Sequence, residues 1–149
     1  MFRYLKWFLH GGEFKFSPLE RHVLAKVRDA IPNEWLAAFD DQISHLDHLQ
    51  RNDGNRFSTY WYKRRKKRLL LPIEDSTCIG RVHVICDGEK FRFKLYAVNG
   101  VLFDLECPKE VPKKVFKSVP DSVYFDFNIE HDNETLLKIR DEIEHEGRW

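Results

Sequence analysis

Two dipeptides constrain the fold of this chain more than any other feature: Asp87-Gly88 and Asn99-Gly100. Both pairs are strongly preferred in two-residue hairpin turns, because such turns need residues that accept a positive φ. Three segments next to these pairs have the composition and length of strands. They are residues 78–86, 89–98 and 101–107. The sequence therefore predicts a three-stranded antiparallel meander.

The middle strand of this meander alternates in polarity, so its two faces are expected to differ. One face would be apolar and consist of Phe91, Phe93, Leu95 and Ala97. The other face would carry Arg92, Lys94, Tyr96 and Val98.

A first helix is predicted to begin at Pro18. Ser17 can cap it, Pro18 suits its first position, and Glu20 completes a capping box. The apolar residues that follow have helical spacing, and Pro32 ends the run. They are Leu19, Val23, Leu24, Val27 and Ile31.

A second helix is expected to begin near Asn33. One apolar stripe supports it: Trp35, Leu36, Phe39, Ile43 and Leu46. The pattern continues until the turn-forming sequence of residues 51–55, Arg-Asn-Asp-Gly-Asn, interrupts it. We therefore expect one continuous helix up to that break.

The remaining elements complete an α+β fold in a single domain of residues 1–149. Residues 56–62 and 123–129 alternate as strands, and the connection 108–120 has room for one helical turn. Asp132 or Asn133 would cap a last helix that stops at Gly147. The prediction is two N-terminal helices, a mainly antiparallel sheet of about five strands, and a C-terminal helix.

Charge is distributed unevenly along the chain. The formal net charge is +1, but residues 63–68 contribute six cations, so the other 143 residues sum to −5. Residues 121–146 hold nine carboxylates against two cations. A chain with separate basic and acidic regions offers two different surfaces to a charged partner.

The cysteines and the start of the chain predict a reduced, cytoplasmic protein. Cys78, Cys86 and Cys107 are odd in number, form no CxxC pair and lie in apolar strand patterns, as core thiols do. Arg3 and Lys6 interrupt the apolar residues at the start, so no signal peptide is expected. No segment has the roughly 20 apolar residues that span a bilayer, so no membrane contact is expected.

No catalytic motif stands out in the sequence. The best metal candidate is Asp41, His45 and His48, which would share one face of the expected second helix. Nothing else completes a zinc pattern, so a solvated polar face is the simpler interpretation. Cys86 and His83 would leave opposite faces of their strand, which separates a nucleophile from its base. We expect a non-enzymatic protein with no catalytic residue, metal or cofactor.

Six consecutive cations, Lys63–Arg68, follow the aromatic sequence Tyr60-Trp-Tyr62. This arrangement would permit phosphate contacts and base stacking by a nucleic-acid-binding module. Against that, the rest of the chain is net acidic and shows no nucleic-acid fold signature. If these rings are exposed, tyrosine and tryptophan beside arginine are typical of protein–protein hot spots. An equally good interpretation is that helices cover one face of this strand and a loop covers the other. A solvated loop with no binding role is a further interpretation.

The candidate partner contacts come from both charged regions. The basic region and its neighbours contribute Tyr60, Tyr62, Arg64, Arg65, Lys67 and Arg68. The acidic region contributes Asp126 and Glu130. An acidic partner would meet the first group and a basic partner the second.

Three stretches carry a resemblance to a known class of proteins. They are SPLERHVLAKVRDAIP (17–32), RFSTYWYKRR (56–65) and FRFKLYAVNGVLFDLE (91–106). In their helix and hairpin patterning they resemble small α+β immunity proteins of bacterial polymorphic toxin systems, including contact-dependent growth inhibition. The resemblance implies a cytoplasmic, non-enzymatic protein that binds one cognate toxin domain and blocks its active site or substrate surface. It assigns no role to individual residues.

Overall fold

The computed structural model describes residues 16–63 and 67–130, except for the side chain of His48. Its helices are α1 (Pro18–Ala30), α2 (Leu36–Ser44) and α3 (Lys113–Phe116), with a 3-10 turn at Asn33–Trp35. Its strands are β1 (Leu46–Asn52), β2 (Phe57–Tyr62), β3 (Ser76–Cys86), β4 (Glu89–Val98), β5 (Val101–Glu106) and β6 (Ser122–Glu130). These strands form one antiparallel sheet in the order β1-β2-β5-β4-β3-β6. The α+β class with a mainly antiparallel sheet is confirmed.

Both hairpin turns of the meander are confirmed. Asp87 and Gly88 have φ of 51° and 75°, and Asn99 and Gly100 have φ of 49° and 81°. Their surroundings differ, however. A Cβ added to Gly88 would meet nothing within 4 Å, whereas at Gly100 it would lie 2.6 Å from the carbonyl oxygen of Leu71. The first turn is open and the second is packed.

The first helix begins as predicted, with a complete capping box. The Ser17 hydroxyl accepts a hydrogen bond from the backbone N–H of Glu20 at 3.3 Å. The Glu20 carboxylate accepts one from the backbone N–H of Ser17 at 3.0 Å. These two bonds satisfy N–H groups that have no partner inside the helix. They also hold the Glu20 side chain in a buried position.

The second helix is shorter than predicted. It ends at Ser44, and residues 46–52 form β1, which pairs with β2. The turn between these strands contains Asp53, Gly54 and Asn55, all with positive φ. The helical spacing of Ile43 and Leu46 was misleading, because the ladder of hydrogen bonds to β2 outweighs a weak local preference. The described sheet therefore has one strand more than the five predicted.

Two predictions that follow the meander are confirmed. β6 contains the predicted strand 123–129, and α3 supplies the helical turn expected between residues 108 and 120. The predicted C-terminal helix, from Asp132 or Asn133 to Gly147, lies outside the described residues.

The two faces of the sheet are unlike. One face belongs to the main core, which it shares with α1 and α2, and there Phe91, Phe93 and Leu95 are buried as the alternation of β4 predicts. On the opposite face four buried residues form a separate cluster: Cys78, Tyr96, Val98 and Phe103. The part of that face nearer the turn at residues 87–88 is largely exposed. This exposed part positions the candidate site.

Gly80 allows β6 to pack closely on β3. A Cβ at this position would lie 2.4 Å from Cζ of Phe125 and 2.5 Å from the carbonyl oxygen of Asp126. We expect Gly80→Ala to lower the free energy of unfolding by about 2–3 kcal/mol, because the ring and the strand must move. Urea denaturation followed by circular dichroism measures this change.

Two further variants test whether the clash with Phe125 causes the loss of stability in Gly80→Ala. Gly88→Ala introduces only left-handed backbone strain, which costs about 1 kcal/mol. Phe125→Leu should be less costly in the Gly80→Ala background than in the wild type, because a smaller side chain relieves part of the clash. Equal costs in both backgrounds would contradict this explanation.

Candidate partner-binding face

The exposed part of the outer sheet face spans β6, β3 and β4. Strand register places nine of its residues in three rows across these strands. The rows are Ser122–Ile85–Lys90, Tyr124–His83–Arg92 and Asp126–Arg81–Lys94. These nine residues are termed the outer patch. All nine point away from the main core, because residues on one face of a strand alternate with those on the other.

The outer patch exposes apolar surface on β6 and β3. Tyr124 is 64% exposed, and its ring centroid lies 6.1 Å from that of His83. Ile85, in the next row, is also exposed. An exposed aromatic ring and an aliphatic side chain bordered by arginine are typical of the energetically important part of a protein interface.

Charge is split across the outer patch. Lys90 and Arg92 are exposed on β4, whereas Asp126 is exposed on β6. Between them, Arg81 forms an ion pair with Glu130 at 3.0 Å. The patch is thus cationic on its β4 side and acidic along β6. Such a pattern can orient a partner and exclude wrongly charged ones.

Tyr60 and Tyr62, both predicted as partner contacts, point to the main-core face instead. Tyr60 is 3% exposed. Its burial, and next the nearby Glu20 carboxylate, raise the pKa of its phenol well above the usual value. Tyr62 is half-buried and donates its hydroxyl hydrogen to the carbonyl oxygen of Leu102. The buried Tyr60 is therefore not an exposed partner contact as predicted, and Tyr62 lies on the face of the sheet opposite the outer patch.

The basic run is only partly within the described residues. Lys67 is exposed. Arg68 is half-buried and its guanidinium carbon lies 4.6 Å from the centroid of the Tyr62 ring. Arg64 and Arg65 lie outside the described residues. Lys67 is therefore the predicted basic contact that the structure places in solvent.

A buried glutamine, Gln42, holds the segment that follows the basic run. The Gln42 amide nitrogen donates to the carbonyl oxygens of Leu69 at 2.9 Å and Gly100 at 2.8 Å. Its amide oxygen accepts from the backbone N–H of Leu102 at 2.9 Å. The N–H of Leu71 adds a bond to the Gly100 carbonyl oxygen at 2.8 Å. The segment after the run is thereby joined to the second hairpin turn.

The predicted contact residues do not form one surface. Asp126 and Glu130 belong to β6, which is four inter-strand spacings from β2, or about 19 Å. Asp126 also lies on the face opposite Tyr60. Asp126 instead lies on the same face as the cations of the outer patch, and Glu130 pairs with one of them, Arg81.

The metal candidate Asp41, His45 and His48 required all three residues to share one helix face, and they do not. His45 Nδ1 lies 3.8 Å from an Asp41 carboxylate oxygen, so this pair is adjacent. His48, however, belongs to β1 and does not continue the helix that carries Asp41. Within residues 16–63 and 67–130, no group of three or more His, Cys, Asp and Glu could hold a metal ion.

The three cysteines are free and buried. Burial raises the pKa of the Cys78 and Cys86 thiols, which disfavours the reactive thiolate. Cys86 belongs to the main core, whereas His83 points to the outer face, so their predicted separation is confirmed.

Tyr124, Ile85 and Arg92 were not identified from the sequence. The alternation of β4 did place Arg92 on the outward side, but it says nothing about neighbouring strands. Tyr124 reaches this surface because β6 pairs with β3, the first strand of the meander. The two strands are far apart in the sequence, so no local sequence pattern predicts that they pair.

No helix in the described part of the chain is long and apolar enough to cross a membrane. No protein-family model, curated protein or solved structure matches this chain.

Proposed function

We propose that this chain is a non-enzymatic binding protein of the immunity type, which neutralises one cognate toxin domain by stoichiometric occlusion. The outer patch is the surface that would meet the toxin, and its exposed Tyr124 is the observation that carries the proposal. In this proposal the protein works in the cytoplasm and needs no cofactor. Its three free thiols are compatible with a reducing compartment.

The outer patch supports a protein partner on two grounds. Its strands are held in a six-stranded sheet, so the side chains are presented on a rigid surface and lose little freedom on binding. Tyr124 and Ile85 supply apolar area, and the cations of β4 supply charge for an acidic surface on the partner. A partner that presents an apolar pocket rimmed by carboxylates fits this combination.

Co-expression tests the proposal directly. The candidate toxin is the domain encoded by the neighbouring gene, and we expect this chain to restore growth and to co-purify with it in a 1:1 complex. Tyr124→Ala should weaken the complex by about tenfold or more, as loss of an interface hot spot does. Arg92→Glu should weaken it as well by reversing a charge.

Matched controls distinguish a specific surface from a general change in charge or stability. Lys26→Glu makes the same charge reversal as Arg92→Glu, but on an exposed position of α1. Leu70→Ala removes exposed apolar surface beside Gly100, at the end of the meander opposite the turn at residues 87–88. Both controls should retain the affinity of the wild type. Failure of the wild type to restore growth or to form a complex overturns the proposal.

Nucleic-acid binding is the second candidate function. One observation favours it: Lys90 and Arg92 lie on β4, two strands from Tyr124 on the same face of the sheet, an arrangement that would allow phosphate contacts near a stacked base. Lys67, from the basic run, is also exposed. In this alternative the sheet face and the run 63–68 would both contact the phosphate backbone.

The salt dependence of binding tests this alternative. The affinities for short single-stranded DNA and RNA are measured by fluorescence anisotropy over a range of salt concentrations. Replacing Arg64, Arg65, Lys67 and Arg68 by alanine should reduce the slope of log affinity against log salt, because fewer counterions are released. A second variant, Lys90→Ala with Arg92→Ala, tests the sheet face in the same way. An unchanged slope in both variants rejects nucleic-acid binding.

A further inference from the structure

A cavity of about 450 Å³ lies beside the start of α1, away from the outer patch. Its walls come from three places: the start of α1, the hairpin of β1 and β2, and α3. The lining residues are Phe16, Ser17, Arg51, Asn55, Lys113, Phe116 and Lys117. Cavities of this size hold small molecules in other proteins. Three of the seven lining residues are cations and none is a carboxylate.

The cations of this cavity are only partly neutralised. Arg51 forms an ion pair with Glu20, which is buried behind it. Lys113 and Lys117 are exposed, and neither forms an ion pair with another described residue. They lie four residues apart on one helical turn, where like charges repel. An anion between them would remove that repulsion.

The floor of the cavity is apolar, so a ligand that fits it needs an apolar group. Phe16 and Phe116 line it, and the Arg51 guanidinium carbon lies 4.7 Å from the centroid of the Phe116 ring. This stacking keeps the guanidinium plane in one orientation, and the Arg51 Nε is buried without a hydrogen-bond partner in the described structure. Arg51 is thus a pre-positioned cation at the back of the cavity.

We propose that this cavity binds a small anion that carries an apolar group, with a phosphate or carboxylate as its charged head. Lys113 and Lys117 would hold the head from the solvent side, and Arg51 would attract it from the back. The apolar group would lie on Phe16 and Phe116. This site is independent of the outer patch and of the function proposed for it.

Binding is tested with the full chain and four probes. Phenyl phosphate carries both features, inorganic phosphate lacks the ring, benzoate replaces the phosphate by a carboxylate, and phenol lacks the charge. Titrations are followed by the amide shifts of Asn55 and Phe116 in NMR spectra. We expect phenyl phosphate or benzoate to bind more tightly than inorganic phosphate and phenol. Whichever of the two binds more tightly identifies the head group.

Variants connect this binding to the cavity. Lys113→Gln with Lys117→Gln should weaken it by about tenfold or more and leave the fold intact, because both side chains are exposed. Lys114→Gln is the matched control, since Lys114 is exposed on the same helix but does not line the cavity. Absence of saturable shifts with phenyl phosphate and benzoate would overturn the proposal. So would an equal loss of affinity in the Lys114→Gln control.

Discussion

We expect Arg51→Met to lower the free energy of unfolding by about 3 kcal/mol at pH 7, measured by urea denaturation. Glu20 is only 2% exposed and pairs with Arg51, so the substitution leaves a buried carboxylate without its cation. Removing one partner of a buried pair costs about 3–5 kcal/mol. The low end applies because the Arg51 side chain is 29% exposed and water reaches part of the pair.

Lys109→Met is a closely matched control. Lys109 pairs with Glu89 at 3.2 Å and lies over the ring of Phe91, just as Arg51 pairs with Glu20 and lies over Phe116. The two cases differ in the carboxylate, because Glu89 is 54% exposed. An exposed pair is worth about 0–1 kcal/mol, so this variant should be nearly as stable as the wild type. Similar losses in the two variants would contradict the argument.

A second substitution tests the cause. Glu20→Gln in the Arg51→Met background removes the unpaired charge and should recover most of the lost stability. A loss of stability that persists in the double variant would indicate that lost packing, and not charge, is responsible.

Gln42→Leu is expected to cost about 3 kcal/mol, although it makes a buried position more apolar. Gln42 makes three hydrogen bonds to backbone groups, and leucine makes none. The buried N–H of Leu102 loses its bond to the side chain, at about 1–3 kcal/mol for a buried group left unpaired. The part-buried carbonyl of Leu69 loses its bond as well, and water replaces that bond only in part. The Gly100 carbonyl keeps its bond from Leu71, which limits the total.

Gln50→Leu makes the same chemical change at an exposed position. Gln50 accepts a hydrogen bond from the indole of Trp61 at 3.0 Å, and water can replace it there. We expect a loss below about 1 kcal/mol. Hydrogen exchange gives a local readout: the Leu102 amide should exchange faster in Gln42→Leu, because it loses the Gln42 side-chain oxygen that accepts its hydrogen bond. Equal effects of the two substitutions would refute the role given to Gln42.

The elements that could be predicted from the sequence are those whose signals are local. The capping box at Ser17 and Glu20 lies within four residues, and the turns at 87–88 and 99–100 each need only two. Such signals do not depend on the rest of the chain. The strands next to those turns follow from them, which is why the meander was predicted with nearly correct bounds.

The errors arise where distant contacts decide the structure. Helical spacing continued past Ile43, but the pairing of β1 with β2 replaced it with a strand. The Asp-Gly pair at residues 53–54 was a signal of the same kind as the one at 87–88, and it would have corrected the prediction. Helix and strand patterns overlap in short segments, so the turn residues are the better guide there.

Most residues of the candidate sites could not be predicted from the sequence, because contacts between distant residues bring them together. Glu20 and Arg51 are 31 residues apart, and neither shows in sequence that it is half of a buried pair. Gln42 resembles any polar residue of an amphipathic helix until the backbone groups around it are known. The outer patch exists only through the register of three strands.

The unequal surroundings of the two meander turns decide where this protein tolerates a probe. Gly88 faces open space and lies close in sequence to Ile85 and Lys90, so a fluorophore or a short epitope tag inserted there should leave folding intact and report on occupancy of the neighbouring sheet surface. The same insertion at Gly100 would push against Leu71 and disrupt the bonds of Gln42. The two turns have nearly identical φ angles, but only the one at residues 87–88 is suited to carry a label.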